Sequence, residues 1–480
     1  MKSILLVSTA LLSAAFVPPH VAAGQTAPPN VIFFLVDDMG WTDVGYMGST
    51  FYETPHIDRL ASQGMSFNQA YSACTVCSPT RAAILTGQYP ARLHVTDWIA
   101  GHVQPIARLK VPDWTMHLPL ETMNLSRLLK PAGFAGASIG KWHLGGPAFY
   151  PDKQGFDVNI AGTASGQPPS YFAPYRIATL PDGPAGEFLS DRLTDEALKF
   201  IQRNKDRPFF LYLAHYAVHT PLMAKQHVIE KYQKKAVPHA PQHNAVYAGL
   251  VESVDDSIGR IMHKLDELKL AGNTIVIFNS DNGGLIGSTV NLGLRAGKGS
   301  SYEGGVRVPL IVKWPGVTKA GSVCETPVIS VDYLPTILEM TGVKADSRQP
   351  LDGECLVPLL KQAGPLKRDA IYWHYPHYHP GGATPYGAVR QGDFKLIEFY
   401  EGDHIELYNL KDDLAERNDL AKTMPEQAAT LCRKLHQWRA GVGAQMPALN
   451  PDYRPNAPAP KSKKAKKRAA AEIQRVLEES

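Results

Sequence analysis

The chain has 480 residues, 20% charged and 44% hydrophobic, which fits one large α/β domain with a smaller one beside it. Beyond the N-terminal stretch, no apolar run is long enough to span a membrane. The net charge of +4 equals that of residues 455–480 alone, which hold seven Lys or Arg and three Asp or Glu, so the near-neutral body gives no indication of a nucleic-acid partner.

Residues 1–23 have the pattern of a secretory signal peptide. Lys2 supplies the positive end, residues 4–17 are apolar, and Val21-Ala22-Ala23 form a small-residue cleavage site. A membrane anchor is the alternative, but the apolar run is short and Pro18-Pro19 interrupts it. We therefore expect a periplasmic or extracellular protein with no integral membrane segment after signal removal.

The first predicted strand runs from Asn30 and ends in two carboxylates. Residues 31–36 are continuously apolar, as in a buried parallel strand, and Asp37-Asp38 follow. Ligands bind at the carboxyl ends of strands in open α/β sheets. A metal site and a solvated turn both remain possible interpretations of this acidic pair.

The segment Cys77-Ser78-Pro79-Thr80-Arg81 predicts the start of a helix. Ser78 is a favourable N-cap, Pro79 fits the first helical position, and Gly87 can end the helix. Cys77 would then lie at a helix N-terminus beside Arg81, where an anion is stabilised. The alternatives are an ordinary buried cysteine, or a redox pair with Cys74 in a C-x-x-C motif.

Strands and helices alternate through the next part of the chain and predict an α/β fold with a large, mostly parallel sheet flanked by helices. Residues 151–188, rich in Gly and Pro, predict a long loop. The predicted helices are 56–64, 122–130, 189–204 and 244–270, the last closed by Gly272, and the strands are 134–139, 208–214 and 274–278.

The pattern changes after Pro358, where short strands near residues 371–373, 387–399 and 404–408 precede a helix over 427–438. This predicts a small C-terminal antiparallel sheet with one helix. We therefore expect a catalytic domain over 24–365, a C-terminal subdomain over 366–446 and a disordered basic tail over 447–480.

Polar side chains of complementary types lie at several predicted strand ends and loops. Oxygen ligands, which suit Ca²⁺ or Mg²⁺ better than Zn²⁺, are Asp37, Asp38, Asp281 and Asn282. Three cations lie near predicted turns: Arg81, Lys141 and Lys298. The imidazoles of His143 and His219 can exchange protons near neutral pH. Each has an ordinary alternative, such as a solvated lysine or a turn-capping histidine, but their recurrence at several strand ends favours a common site.

Six motifs follow one another in a fixed order: Asp37-Asp38-Met39-Gly40-Trp41, Cys77-Ser78-Pro79-Thr80-Arg81, Gly140-Lys141-Trp142-His143, His219-Thr220-Pro221, Ser280-Asp281-Asn282-Gly283 and Gly297-Lys298 with Glu303-Gly304-Gly305-Val306-Arg307. This series resembles that of the type I sulfatases, the formylglycine-dependent members of the alkaline phosphatase superfamily, and in particular the exported bacterial carbohydrate sulfatases. The resemblance extends from about residue 30 to about residue 440. Thr75, Phe134 and Gly136 depart from the family pattern without removing a catalytic group.

The resemblance implies that a maturation enzyme oxidises Cys77 to formylglycine, whose hydrate attacks sulfur and forms a covalent sulfo-enzyme. It implies one Ca²⁺ held by Asp37, Asp38, Asp281 and Asn282. Residue 77 and a sulfate oxygen would complete the ligand shell of this ion. By the same resemblance, Arg81 and Lys141 hold the hydrate, and Lys141 with Lys298 clamps the sulfate oxygens. His219, with Lys298, protonates the leaving oxygen. His143 then takes a proton from the second hydroxyl of the hydrate.

A sulfated saccharide is the expected substrate. The segment over 373–382 is dense in side chains that stack on sugars or hydrogen-bond to hydroxyls, although a transition-metal site or a plain surface loop would also explain it. Related carbohydrate sulfatases place this region over the active site, and a galactose or N-acetylgalactosamine end is the specific guess. The candidate substrate-binding residues are Asp97, neighbouring Trp98, His102, His374, His377, His379 and Arg390.

Three alternative functions remain at this point. The first is a phosphomonoesterase or phosphodiesterase of the same superfamily, for which a second metal-ligand cluster would be expected. The second is a catalytically silent sulfoglycan-binding protein, and the third is a thiol oxidoreductase that uses Cys74 and Cys77. If Cys77 is modified, the other four cysteines could form two disulfides of unknown pairing: Cys74, Cys324, Cys355 and Cys432.

Overall fold

The computed structural model describes residues 28–102, 104–237 and 240–455. The predicted signal peptide and the part of the predicted tail from residue 456 onward lie outside the described residues. No helix in the described ranges has both the length and the apolar character needed to cross a membrane.

The strands in chain order are β1 (Asn30–Val36), β2 (Met65–Phe67), β3 (Ala70–Tyr71), β4 (Leu109–Lys110), β5 (Ala135–Gly140), β6 (Val158–Ile160), β7 (Phe209–Ala214), β8 (Thr274–Ser280), β9 (Leu310–Lys313), β10 (Ser322–Cys324), β11 (Val328–Ile329), β12 (Ala370–Tyr375), β13 (Tyr386–Gln391), β14 (Phe394–Phe399), β15 (His404–Asn409) and β16 (Ala448–Leu449). The α-helices are α1 (Pro55–Gln63), α2 (Cys77–Thr86), α3 (Pro90–Leu93), α4 (Leu125–Leu129), α5 (Leu189–Arg203), α6 (Gln226–Lys235), α7 (Ala245–Glu267), α8 (Glu303–Val306), α9 (Tyr333–Thr341), α10 (Val357–Leu360) and α11 (Pro425–Val442).

Eight strands form the large sheet, in the order β10-β2-β9-β8-β1-β7-β5-β6. All neighbouring pairs are parallel except β2 with β9 and β8 with β9, so the predicted α/β class with a mostly parallel sheet is confirmed. The central strand β1 is buried along its whole length, which explains why its sequence is continuously apolar.

Helices cover both faces of this sheet. Alternate residues of β1 enter two separate cores, with Phe34 packing in the core that contains residues of α1, α5, α6 and α7, and Phe33 in the core that contains residues of α2, α4, α9 and α10. The period-2 alternation of side chains along a strand produces this division.

The predicted C-terminal antiparallel sheet with one helix is also confirmed, with the order β12-β13-β14-β15. Helix α11 covers one face, where Leu431 and Leu435 pack in one cluster with Val389. The other face packs against the large domain, because Trp373 and Tyr375 share a cluster with Tyr71, Val76 and Ala83.

Several local predictions were wrong. Ser78 does not cap α2, because the helix begins at Cys77 after an extended Val76, although Gly87 ends it as predicted, with a φ of 68° and its N–H donating to the Ala83 carbonyl. Helix α7 ends at Glu267 rather than at Gly272, which lies in a separate 3-10 turn.

Two segments expected to lack regular structure contain strands. The predicted loop over 151–188 includes β6, which pairs in parallel with β5 at the edge of the large sheet. Part of the predicted disordered tail forms β16, which pairs with β4, and Asn450 fixes this pairing through a side-chain bond to the carbonyl of Ala107 at 2.7 Å.

Candidate active site

The candidate site lies where the carboxyl ends of β1, β5 and β8 meet. Asp37 and Asp38 follow β1, Lys141 follows β5, and Asp281 and Asn282 follow β8. β1 is parallel to β8 and to β7, and β7 is parallel to β5. The carboxyl ends of β1, β5 and β8 therefore lie at the same edge of the sheet. All five side chains are buried.

Unpartnered oxygen atoms point into this site. Asp37 Oδ1, Asp38 Oδ2 and Asn282 Oδ1 are buried without a hydrogen-bond partner within the described residues. Orphaned buried oxygens are costly unless a cation or water satisfies them. Ligand-capable atoms of Asp37, Asp38, Cys77 and His219 also lie within 4.8 Å of one another. Three oxygen donors of this kind fit a hard cation such as Ca²⁺.

Three cations are paired with the three carboxylates of the site. Lys141 Nζ lies 2.6 Å from Asp37 Oδ2, and Lys298 Nζ lies 2.6 Å from Asp38 Oδ1. Arg81 donates from Nε and Nη2 to Asp281 Oδ2 at 2.9 and 2.7 Å. The pairing holds the charged side chains in fixed positions and accounts for their burial.

Burial and these pairs shift the ionisation of the carboxylates in opposite directions. Burial raises the pKa of Asp37 to about 7, against the opposing effect of Lys141. Burial alone would also raise the pKa of Asp38, but Lys298, together with His219, holds it below its usual range. Burial would lower the pKa of Lys298, but Asp38 raises it, so this lysine is protonated at neutral pH.

Cys77 lies at the N-terminus of α2 and at the wall of a cavity of about 410 Å³. Its Sγ is 3.5 Å from Lys298 Nζ, and burial raises the pKa of the thiol to about 11. A protonated thiol is a poor nucleophile. The other residues that line the cavity are Trp98, Ile99, His143, Gly166, Gln167, His219, Lys298, His379 and Pro380.

The His143 imidazole is held in one tautomer. Its Nε2 contacts the carbonyl of Ile99, which can only accept, so Nε2 carries the proton and Nδ1 has the free lone pair. Nδ1 is buried and has no partner in the described residues. Ser78 fixes this arrangement, because its Oγ donates to the His143 carbonyl at 2.8 Å and accepts the Ile99 N–H at 3.2 Å.

His219 has the opposite tautomer. Its Nδ1 donates to the Thr220 carbonyl at 2.8 Å, which leaves the Nε2 lone pair 3.6 Å from Asp38 Oδ2. Burial lowers the pKa of His219 to about 3, so the imidazole is neutral at pH 7.

Of the predicted substrate-binding residues, Trp98 and His379 line the cavity of the described chain. His379 reaches it from the loop that follows β12. Its ring packs against Gly299, which has a φ of 85° and no room for a Cβ beside this ring. Nδ1 accepts the Gly381 N–H at 3.0 Å, so Nε2 carries the proton. Burial lowers the pKa of His379 to about 4, which makes it a neutral donor.

The other predicted substrate-binding residues do not line the described cavity. His374 contacts Tyr400 and the Gln445 carbonyl, His377 contacts Thr96, and Arg390 donates to Tyr71, Gln69 and Gly392. Asp97 accepts hydrogen bonds from the Tyr375 hydroxyl and the Trp98 N–H, and burial raises its pKa to about 7. His102 also lies outside the set of residues that line the cavity.

The prediction missed Gly166 and Gln167, which line the cavity from the Gly- and Pro-rich loop. Nothing in the sequence pattern of that loop distinguishes them. Gly166 lies against the His143 ring, because a Cβ at this position would be 2.6 Å from His143 Cε1.

The cysteines carry no disulfide. All five are free thiols, so neither the C-x-x-C pair nor the two expected bridges are formed in the structure. Cys74 is buried, and burial raises the pKa of its thiol, which does not suit a reactive thiol.

Two models of known protein families match this chain. The family model described as Sulfatase matches residues 29–343. The chain belongs to the sulfatase family. A second model, described as N-sulphoglucosamine sulphohydrolase, C-terminal, matches residues 297–441. The type I sulfatase resemblance is thereby confirmed, and the protein is a sulfuric ester hydrolase.

Individual relatives support this assignment over most of the chain. A sulfatase of Formosa agariphila is 33% identical over 90% of this chain and 93% of its own length. The N-acetylgalactosamine-6-sulfatase of Sus scrofa is 36% identical over 73% of this chain and 69% of its own length.

Solved structures share the fold. The crystal structure of Ps i-CgsB superposes with a TM-score of 0.74 and 30% identity over 86% of this sulfatase and 93% of that chain. The phosphonate monoester hydrolase of Agrobacterium radiobacter superposes with a TM-score of 0.62 over 86% of this chain and 96% of its own, but at 20% identity it shows the common fold alone. This likeness therefore gives no support to a phosphoesterase activity of this chain.

Proposed function

We propose that this sulfatase removes sulfate from a carbohydrate, with residue 77 as formylglycine and one Ca²⁺ at the site. The observation that carries the proposal is that orphaned oxygen atoms and carboxylate-paired cations lie beside Cys77, which lines a cavity together with Lys298. Sulfate esters are anions that expel an alkoxide, so hydrolysis needs positive charge at sulfate and a proton at the leaving oxygen.

Two groups absent from the unmodified chain would supply the nucleophile and part of that charge. Formylglycine, made from Cys77 by a maturation enzyme, supplies a hydrated aldehyde in place of a thiol whose pKa burial raises to about 11. Ca²⁺ supplies positive charge beside a sulfate oxygen. The unpartnered oxygens of Asp37, Asp38 and Asn282 would hold it, with residue 77 as a further ligand. Asp281, which the family resemblance adds to this set, accepts from Arg81 and from the Asp38 N–H.

The protein's own side chains bind the ester and move the protons. Lys141 and Lys298 are fixed by carboxylates and place two ammonium groups where sulfate oxygens can be held. Arg81 is locked on Asp281 and donates from Nη1 to the Lys141 carbonyl at 3.0 Å, so it orients both groups near residue 77.

Proton transfer is divided between two histidines. The free Nδ1 of His143 is the proton acceptor in the same cavity as Cys77. His219 Nε2 faces the cavity, and the negative charge of a bound ester raises a histidine pKa, so a proton at Nε2 becomes available to the leaving oxygen. Lys298, which is protonated already, assists it.

The substrate class comes from relatives and from the cavity. One relative is an N-acetylgalactosamine-6-sulfatase, and Ps i-CgsB has been crystallised with k-i-k-neocarrahexaose. In this chain, Trp98 can stack on a sugar ring, while His379 and Gln167 can donate to hydroxyls. A galactose or N-acetylgalactosamine end is the specific proposal, in a protein exported by residues 1–23.

The test is sulfate release from a panel of sulfated mono- and disaccharides by protein co-expressed with a maturation enzyme. The Cys77→Ala variant and chelator-treated enzyme, with and without added Ca²⁺, are measured in parallel. We expect release from at least one sugar, none by the variant, and recovery with Ca²⁺ after chelation. Tight sugar binding without release, in protein whose peptide mass shows formylglycine, would instead indicate a silent binding protein.

A further inference from the structure

A cysteine, a histidine and a glutamate meet on the C-terminal subdomain, outside the cavity that contains Cys77. Cys432 and His436 are four residues apart on α11, which puts them on the same helix face, and Glu398 lies on the adjoining strand β14. Cys432 Sγ is 3.3 Å from His436 Nε2, and that nitrogen is 2.8 Å from Glu398 Oε1.

We propose that these three side chains form a binding site for a divalent transition-metal ion such as Zn²⁺, with water in a fourth position. Ligand atoms of a tetrahedral zinc site are roughly 3.3 to 3.6 Å apart, given Zn–S of about 2.3 Å and Zn–N and Zn–O near 2.1 Å. All three ligand atoms here already lie within 4.8 Å of one another. Small side-chain adjustments are therefore sufficient to bind the ion.

The donor set separates this site from the one at residue 77. Thiolate and imidazole select Zn²⁺ and related ions, whereas the carboxylate and amide oxygens of the active site suit Ca²⁺. His436 is 47% exposed, so an ion can enter from solvent. Arg439 donates to Glu398 Oε2 at 2.7 Å, which orients the carboxylate and leaves Oε1 towards His436.

Binding exchanges a proton for the metal. Burial, together with Glu398, raises the pKa of the Cys432 thiol, against the opposing effects of Arg439 and Arg433, so the thiol is protonated in the free protein. As the S–Zn bond forms, the S–H bond breaks and the proton passes to water, with no change of oxidation state. The bound ion would join α11 to β14.

Cobalt titration tests the proposal, because thiolate-bound Co²⁺ gives a charge-transfer absorption band. The full chain carrying Cys77→Ala is used, which removes the active-site thiol, and it is saturated with Ca²⁺ before Co²⁺ is added. We expect a band that saturates at one equivalent and is displaced by Zn²⁺. The further change Cys432→Ser removes the band, and His436→Gln weakens Co²⁺ binding at least about tenfold.

Cys324→Ser is the matched control, since Cys324 is also partly buried and has no histidine partner among the described contacts. It should leave both the band and the affinity unchanged. A protein that shows no band, or a band that survives Cys432→Ser, overturns the proposal. Neither result bears on sulfate release, because none of the three ligands lines the described active-site cavity.

Discussion

Two of the site residues have backbone conformations that favour glycine. Asp38 has a φ of 64° and His143 a φ of 57°, each at a cost of about 1 to 3 kcal/mol. Tertiary hydrogen bonds maintain them: the Asp38 N–H donates to Asp281 Oδ1 at 3.2 Å, and the His143 N–H donates to the Thr163 carbonyl at 3.0 Å. These conformations direct the carboxylate and the imidazole into the site.

The Ser78 hydroxyl should matter for turnover through His143. In Ser78→Ala, the Ile99 N–H and the His143 carbonyl lose a partner in a buried place, which costs about 1 to 3 kcal/mol per group. We expect kcat to fall about tenfold with KM nearly unchanged, because the proton acceptor is misplaced and the sulfate-binding lysines are not. Steady-state kinetics measure this split.

Peptide mass spectrometry is the necessary control for Ser78→Ala, since the change lies beside the maturation site. Activity is compared per mole of formylglycine. Wild-type kcat on that basis would mean that Ser78 has no part in orienting His143.

The role of His219 should depend on the leaving group. An aryl sulfate needs little protonation because its phenol leaves readily as an anion, whereas a sugar alkoxide needs a proton to leave. His219→Ala removes the proposed donor of that proton. We expect kcat/KM to fall about 100-fold or more for the sulfated sugar and less than about tenfold for the aryl ester. Equal losses on both substrates would assign His219 to binding rather than to proton transfer.

At the scale of elements, the site is assembled by three parallel strand ends and one helix N-terminus. β1, β5 and β8 bring oxygen ligands and Lys141 together, and α2 adds Cys77 and Arg81. The motifs are far apart in the sequence, since Arg81 and its partner Asp281 are separated by 200 residues. The topology of the sheet alone makes them neighbours.

A carboxylate on α7 should make the packing of two helices depend on pH. Asp255 accepts the N–H groups of His56 and Ile57 at the start of α1, and burial raises its pKa to about 7. The folded state therefore holds a proton that the unfolded state has lost above about pH 4. The stabilisation from this group is complete below pH 4 and is lost as pH rises through 7.

Replacement of Asp255 by Asn should remove this dependence. We expect the free energy of unfolding of Asp255→Asn, relative to wild type, to increase with pH between about 4 and 7, by up to about 1.4 kcal/mol per pH unit. Urea denaturation at pH 5, 6 and 7 measures it. Asp152→Asn, at an exposed position of the 3-10 helix Pro151–Gln154, is the control. Parallel pH profiles for Asp255→Asn and wild type would contradict the prediction.

At the scale of the molecule, the C-terminal subdomain is part of the active-site structure. His379 and Pro380 line the cavity, and Trp373 packs with Tyr71 and Val76 next to α2. The Trp373 indole N–H also donates to the Ser72 carbonyl at 2.8 Å. Across the same interface, the buried Lys395 pairs with Glu303, and Glu416 accepts the Glu303 N–H.

Removal of the subdomain should therefore be far more damaging than removal of the tail. A variant that ends at residue 365 exposes the apolar cluster around Tyr71 and Val76, so we expect aggregation and no sulfate release. A variant that ends at residue 455 should keep turnover of small substrates within about twofold. Size-exclusion chromatography and sulfate release are the measurements, and a soluble, active 365-residue form would contradict this interpretation.

The sequence by itself determined the fold class and the family. Long apolar strands such as residues 31–36, their alternation with helices, and the ordered motifs from Asp37 to Arg307 are local or sequential properties, so they can be recognised before folding. The motif series that resembles the sulfatases also named four residues that line the cavity: Cys77, His143, His219 and Lys298.

Tertiary structure decided which polar residues face the cavity. His374 lies on β12 and contacts Tyr400, whereas His377 and His379 lie in the loop after this strand. In that loop His377 contacts Thr96, and only His379 of the three lines the described cavity. Gln167 reaches the cavity from a loop without a recognisable pattern. Side-chain direction, tautomer and ion pairing depend on contacts between residues distant in sequence, and periodicity carries no information about those contacts.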